Sequence, residues 1–248
     1  MKRKLLLILL LMLSLVSCDT TKIRINCNEF YYRVLDDDSI TVGDVDDVYN
    51  YTYAFIPSKI DGYIVKQLGY QSGLCFGKGG SFNSIHYLDK EMNERILVNR
   101  LYVPSTVNKV LGLYLDRITE NFKFFYAGEV IDIKYCIPSD NYKREGFCMY
   151  VPSKKYNEFV EHSSEDLVDY LFLANVIYDL NYNYLDYYYI DYYENDSLIE
   201  CIPPDPTREG YVFKGWYREA ECNNEWDFFT NKIFDETKEL RLFAKWQK

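Results

Sequence analysis

The sequence predicts a mainly β protein with minor α, organised as an array of short repeated units followed by a small β module. Three observations predict it. Aromatic residues are abundant, with 26 Tyr and 15 Phe in 248 residues, and Tyr, Phe, Val and Ile favour extended strands. Pro57, Pro104 and Pro152, each followed by Ser, lie 47 and 48 residues apart, the spacing of stacked units at twice a period of about 23 residues. Near the C-terminus, apolar and polar residues alternate as they do along half-buried strands.

The chain opens with Lys2, Arg3 and Lys4, then an apolar run from Leu5 to Val16, then Leu15-Val-Ser-Cys18. At about 12 residues the apolar run is too short for a permanent membrane helix, which needs roughly 20, and its flanks suit a signal peptide. Leu-Val-Ser-Cys resembles the lipobox of bacterial lipoproteins. The resemblance implies that the Cys18 thiol receives diacylglycerol and that cleavage after small Ser17 leaves Cys18 as the new N-terminus. Residues 1–17 are then a lipoprotein signal peptide and residues 18–29 a tether. Two acyl chains suffice for stable anchoring.

Loss of the leader removes three basic residues and no acidic ones, so the net charge moves from −10 to −13. That balance excludes nucleic acid as a partner, because such binding is driven by neutralising phosphates, and argues against a basic patch on anionic lipid. Six cysteines remain beyond Cys18, at 27, 75, 136, 148, 201 and 222, with no CxxC pair and only His86 and His162 to supply imidazole. A structural zinc site is not expected; one disulfide or none is.

Residues 30–180 carry the repeats. Ile56-Pro-Ser-Lys-Ile-Asp-Gly-Tyr-Ile-Val, Val103-Pro-Ser-Thr-Val-Asn-Lys-Val-Leu-Gly112 and Val151-Pro-Ser-Lys154 echo one another. They resemble the BspA-like leucine-rich repeat, as do Tyr32-Arg-Val-Leu-Asp-Asp37 and Phe124-Phe-Tyr-Ala-Gly128. The family's A-F-x-G-C-x-x-L runs are eroded, and residues 77–83 read as a loop insertion. The resemblance implies a short irregular leucine-rich-repeat-like solenoid, whose stacked units share a core and leave one extended face for contact. A capping-box signal at Ser163-Ser-Glu-Asp166, followed by Leu167, Leu171, Ala174 and Tyr178, predicts a docking helix of about 16 residues closing the array.

Residues 181–248 form the C-terminal module. Arg208-Glu-Gly210 reads as a turn, with Gly supplying a conformation other residues resist. Beyond it Tyr211, Phe213 and Gly215 share one strand face, and Val212, Lys214 and Trp216 the other. In the last strand Leu240, Leu242, Ala244 and Trp246 point one way, Arg241, Phe243 and Lys245 the other. The tyrosine run at 184–193 is the expected first strand, and Pro203, Pro204 and Pro206 mark an extended connection. Pro206-Thr-Arg-Glu-Gly-Tyr-Val-Phe-Lys-Gly-Trp-Tyr217, Trp226-Asp-Phe228 and Leu242-Phe-Ala-Lys-Trp246 closely resemble the internalin-type B-repeat, also called the Listeria–Bacteroides repeat. Phe243 replaces the family's usual Tyr. The resemblance implies a small β-grasp-like B-repeat module in which Trp216, Trp226 and Trp246 are core residues before they are a sugar platform.

Catalytic chemistry has no recognisable carrier. No GxSxG, HExxH or phosphate loop occurs. Asp36-Asp-Asp38 and Asp44-Val-Asp-Asp47 lack the Gly and Glu of a calcium loop and read as solvated hairpin turns. No catalytic, cofactor-binding or metal residue is assigned, and no cofactor is expected; the one modification site is Cys18. The expectation is a surface-exposed, membrane-anchored adhesion or binding protein, not an enzyme, with an extracellular protein or glycan partner. An exported hydrolase and a solute-binding lipoprotein are the alternatives.

Overall fold

A computed structural model describes residues 21–25, 28–47, 53–69, 82–83, 85–87, 99–111, 113–114, 121–131, 146–182 and 187–248. The lipobox and Cys18 lie outside these residues, as do Cys27, Cys75 and Cys136 and residues 77–81 of the expected loop insertion, whose last two residues, 82 and 83, form a strand instead. The described chain is mainly β, as expected.

The N-terminal sheet begins with strands β1 (Thr21–Ile25), β2 (Asn28–Val34) and β3 (Ser39–Asp47), paired antiparallel in that order. The expected tether is therefore shorter than 18–29, because residues 21–25 already form a sheet edge. The β2–β3 turn holds Asp36 to Asp38 as expected, with Leu35 N donating to Ser39 O at 2.7 Å. Asp44 to Asp47 do not form a second turn; they lie in β3, paired with β2 on one side and with β8 (Ile85–Tyr87) on the other.

Strand β6 (Tyr63–Leu68) runs parallel to β3 and is reached from β5 (Lys59–Ile60) by a two-residue hairpin. Asp61 and Gly62 both take positive φ, 51° and 86°, the type I′ geometry whose twist matches its flanking strands and which Asp-Gly adopts readily. Strand β10 (Lys109–Val110) joins the far side of β6 in parallel, and β7 (Phe82–Asn83) and β11 (Leu113–Tyr114) form a separate parallel pair.

A second sheet stacks five short strands, all parallel: β4 (Tyr53–Phe55), β9 (Arg100–Val103), β12 (Lys123–Tyr126), β13 (Cys148–Val151) and β14 (Leu171–Leu173). Phe55 pairs with Tyr102, Tyr102 with Phe125, Phe125 with Tyr150 and Tyr150 with Phe172, steps of 47, 23, 25 and 22 residues. The half-period read from the prolines is thus one strand step from β9 onward. Between β4 and β9 it fails, because those two strands pair directly. Each Pro-Ser sits just beyond a strand of this sheet, where Pro need not donate to the ladder.

The expected 16-residue helix is not formed. After β13 come a 3-10 turn (Ser153–Lys155), helix α1 (Tyr156–Glu161) and the single-turn helix α2 (Glu165–Val168). The chain then extends into β14, and Leu171 takes its place beside Met149. The open edge of β13 offers backbone partners that a helix would leave unpaired, and that outweighs the helical spacing of the apolar residues. Phe159 and Leu167 are fully buried under the array.

The last sheet has the order β16 (Ile190–Asp191), β15 (Val176–Asp179), β18 (Leu240–Gln247), β17 (Val212–Tyr217). Its first strand is β15 rather than the tyrosine run: β15 lies parallel to β18, and among the described residues β16 pairs only with β15. Residues 176–179 therefore belong to the C-terminal sheet, although they precede the 180/181 boundary drawn from sequence. In β18 the alternation is as expected, with Leu242 and Ala244 fully buried. In β17 it breaks. A bulge between Phe213 and Trp216, with Gly215 at φ 114°, brings both aromatic rings together at 5.3 Å, since one extra residue shifts the side-chain phase.

Two hydrophobic cores result. One side of the five-stranded sheet, through Ala54, Leu101, Phe124, Met149 and Leu171, packs with Ile40, Val42, Val65 and Leu68 of the N-terminal sheet. The other side, through Phe55, Tyr102, Phe125 and Tyr150, packs with Ile177, Tyr178, Tyr189 and Trp216 of the C-terminal sheet. A parallel sheet covered on both faces accounts for runs such as Phe124-Phe-Tyr-Ala127.

Candidate functional site

The extended face expected to remain free for contact is occupied. Phe55, Tyr102, Phe125 and Tyr150 form a ladder of stacked rings, with centroids 4.1, 4.6 and 4.9 Å apart. The separation follows from in-register strands spaced at roughly 4.8 Å. Residues of the C-terminal tyrosine run cover this ladder. Tyr189 meets Phe55 edge-on at 5.1 Å and donates to Ile56 O at 2.6 Å, while Tyr192 stacks on Tyr150 at 5.0 Å. The backbone joins in, Ser105 N donating to Tyr188 O at 3.1 Å.

At the centre of this seam lies a polar cluster. Asp191, with no solvent exposure, accepts from Tyr102 Oη at 2.9 Å, Tyr192 N at 2.8 Å and Arg100 Nη1 at 3.3 Å. Arg100 also donates to Tyr102 Oη at 3.1 Å, and its guanidinium lies 4.9 Å from the Tyr193 ring centre. Tyr193 Oη accepts from Cys201 N at 2.9 Å. Asn175 braces the same segment, its amide donating to Tyr193 O at 2.8 Å and its oxygen accepting from Tyr193 N at 3.1 Å.

The electrostatics follow from the burial. Burial pushes the Asp191 carboxyl up to about 7, against the pull of Arg100 and the hydrogen bonds from Tyr192 and Tyr102. Burial also drives the Tyr102 and Tyr193 hydroxyls well above their usual range, helped by the charge on Asp191. Burial works against the charge on Arg100, yet Tyr102 and Asp191 hold its pKa above the ordinary value. A carboxyl titrating near neutrality is a common mark of acid–base sites. Asp191, however, is sealed among internal partners, and the cluster ties the array to the C-terminal module.

The residues singled out in sequence are placed as follows. Trp216 and Trp226 are buried, and Trp246 is half-buried, its Nε1 donating to Leu180 O at 2.7 Å. His86 lies in β8, and His162 ends α1 with Nδ1 2.9 Å from Glu158 O. Cys148, Cys201 and Cys222 are free thiols. Among the described residues, no three His, Cys, Asp or Glu side chains converge as metal ligands, and no helix is long and apolar enough to cross a membrane. The reading of sequence missed Arg100, Tyr102 and Asp191. One signal was present: Asp191 alternates in sequence with Tyr189 and Tyr193, an acid in an aromatic row.

Residues 175–245 match the Listeria–Bacteroides repeat domain. The match begins one residue before β15, so the domain's edge and the sheet's edge agree. Two proteins of Evansella cellulosilytica are similar over 51 residues, about a fifth of this chain. One, "Putative Gly-rich membrane protein", is 37% identical, and the other, "Putative membrane protein", is 43% identical. The matched stretch spans 5% and 7% of the length of those two relatives.

Proposed function

We propose that this chain is a lipid-anchored protein of the bacterial envelope that binds an extracellular protein or glycan and performs no catalysis. The observation that carries the reading is the Listeria–Bacteroides repeat at residues 175–245 packed onto a stack of in-register strands. A repeat domain and a strand array sharing one core form a contact module. The membrane-protein names of the two relatives support the location, and Leu15-Val-Ser-Cys18 supports the lipid.

The array is read as a short, irregular set of leucine-rich repeats of the BspA-like kind. Steps of 23, 25 and 22 residues per strand from β9 to β14 support that reading, since each unit of such a solenoid supplies one strand. Its ladder face lies under the repeat domain, so ligand contacts fall to its other surfaces.

Two measurements test the proposal. Growth with a clickable palmitate should label the wild-type chain and leave the Cys18→Ala variant unlabelled and released from membranes; an unlabelled wild type in the cytosol overturns the anchor. A pull-down against matrix proteins and envelope glycans should capture a partner, and capture of none overturns the binding role.

A further inference from the structure

The repeat domain holds a guanidinium that the fold packs but does not neutralise. Arg208 opens the turn into β17, and three aromatic rings gather around it. Its Cζ lies 3.8 Å from the ring centre of Tyr211, 4.6 Å from that of Tyr182 and 5.9 Å from that of Trp246. The rings are fixed in turn. Trp246 Nε1 donates to Leu180 O at 2.7 Å, Tyr182 meets Trp246 edge-on at 5.2 Å, and Tyr211 N donates to Arg208 O at 3.1 Å.

What Arg208 lacks is an anion. Arg100 and Arg241, both largely buried, meet Asp191 and Asp179 at 3.3 and 3.0 Å. Arg208 is half-buried too, yet among the described residues its guanidinium makes no ion pair and no hydrogen bond. Asp205 and Glu209, its nearest acids in sequence, are exposed and do not pair with it. A guanidinium stacked on rings keeps its charge and all five of its N–H donors in a planar fork. The rings also hold that fork still, so little freedom is left to lose when an acceptor arrives.

From this arrangement we infer that Arg208 receives a carboxylate of an extended acidic peptide segment in a protein partner. The planar fork matches a carboxylate through two parallel hydrogen bonds. Two observations favour peptide over sugar. The ring faces on which a sugar would stack beside this cation are taken by the cation itself. Beyond the turn the chain enters β17, the last strand of its sheet, where Val212 is 58% exposed and Lys214 is exposed. A strand at a sheet edge offers backbone hydrogen bonds to a peptide laid beside it, and Arg208 then selects a peptide that carries an acid. The chain's net charge of −10 repels acids at long range, so the attraction is local to this site. The inference rests on the binding reading above and names the partner's chemistry for it.

The test is calorimetric titration of the full chain in neutral detergent, at about 0.15 M salt to screen the long-range repulsion. The probes are acetylated tetraglutamate amide, its tetraglutamine counterpart and a hyaluronan tetrasaccharide. Tetraglutamate should bind with Kd of about 0.1–1 mM, at least about tenfold tighter than either of the others. Arg208→Gln should weaken it about tenfold or more, and Arg208→Lys, which keeps the charge but not the fork, about threefold or more, both with far-UV circular dichroism unchanged. Should Arg208→Gln unfold, the lysine variant decides. Absence of tetraglutamate binding below about 10 mM overturns the inference, as does a folded variant that binds it as well as wild type. Equal binding of tetraglutamine defeats carboxylate recognition, and equal binding of the hyaluronan fragment defeats the peptide assignment. A partner captured in the pull-down as well by Arg208→Gln as by wild type removes this site and leaves the binding reading standing.

Discussion

Replacing Asp191 tests whether the array and the repeat domain are one cooperative unit. Asp191→Ala strands Arg100, whose side chain is only 20% exposed, and leaves the Tyr102 hydroxyl without its acceptor. Breaking a buried pair by removing one partner costs about 3–5 kcal/mol. For a chain of this size each kcal/mol lowers Tm by roughly 2–4 °C, so a fall of roughly 6–20 °C is expected. The triple change Arg100→Met, Tyr102→Phe, Asp191→Leu removes the ion pair and the Tyr102 hydroxyl together, leaves Tyr193 Oη its Cys201 N–H donor, and should return to within about 2 kcal/mol of wild type. All three tryptophans lie at or beyond position 216, so their fluorescence reports the C-terminal module, while far-UV circular dichroism reports every strand. Arg100→Met, made in the array, should shift both transitions together. Two separated transitions, or an Asp191→Ala variant within about 0.5 kcal/mol of wild type, would refute the argument that the seam joins the two cores.

Other expectations follow from the same geometry. The native Asp191 carboxyl titrates near 7 against an ordinary 3.8, so between those values the folded state holds the extra proton, and this group's contribution to stability is lost as pH rises through 7. Asp37 and Asp235 are held at about 2 by hydrogen bonds from Ser39 and Thr237, reinforced by Lys66 and Lys238. Their contribution has the opposite sense, present above 3.8 and lost as pH falls toward 2. A Tm profile should therefore peak at about 4 and decline toward 7, and Asp191→Asn should flatten that decline. Gly215→Ala should cost about 1–3 kcal/mol by chemical denaturation, because φ is 114° and a Cβ there would stand 2.9 Å from Glu225 Oε1. Phe125→Ala should cost about 3–5 kcal/mol and diminish the near-UV aromatic signal, since the ring is stacked on both sides at 4.6 and 4.9 Å.

Sequence alone determined what short-range physics controls. Alternation in residues 240–246 fixed which side chains of β18 face the core, and Arg208-Glu-Gly210 fixed its turn, with Tyr211 N donating to Arg208 O at 3.1 Å. The Pro-Ser recurrence gave the repeat spacing, and the structure sets each pair just beyond β4, β9 and β13, where a residue without an N–H does not interrupt the ladder. The Listeria–Bacteroides motif was legible in residues 206–246, and the family match at 175–245 contains most of it. Tertiary structure decided the rest. Leu171 and Ala174 fit a helix and a strand equally well until the open edge of β13 supplied hydrogen-bond partners for one of them. The bulge at Gly215 is invisible in a pattern because it is a mismatch between two strands. Whether the aromatic ladder faces water or the repeat domain depends on where Asp191 finds Arg100, 91 residues away. Local sequence sets which residues extend and which faces are apolar; only the meeting of distant segments sets what covers those faces.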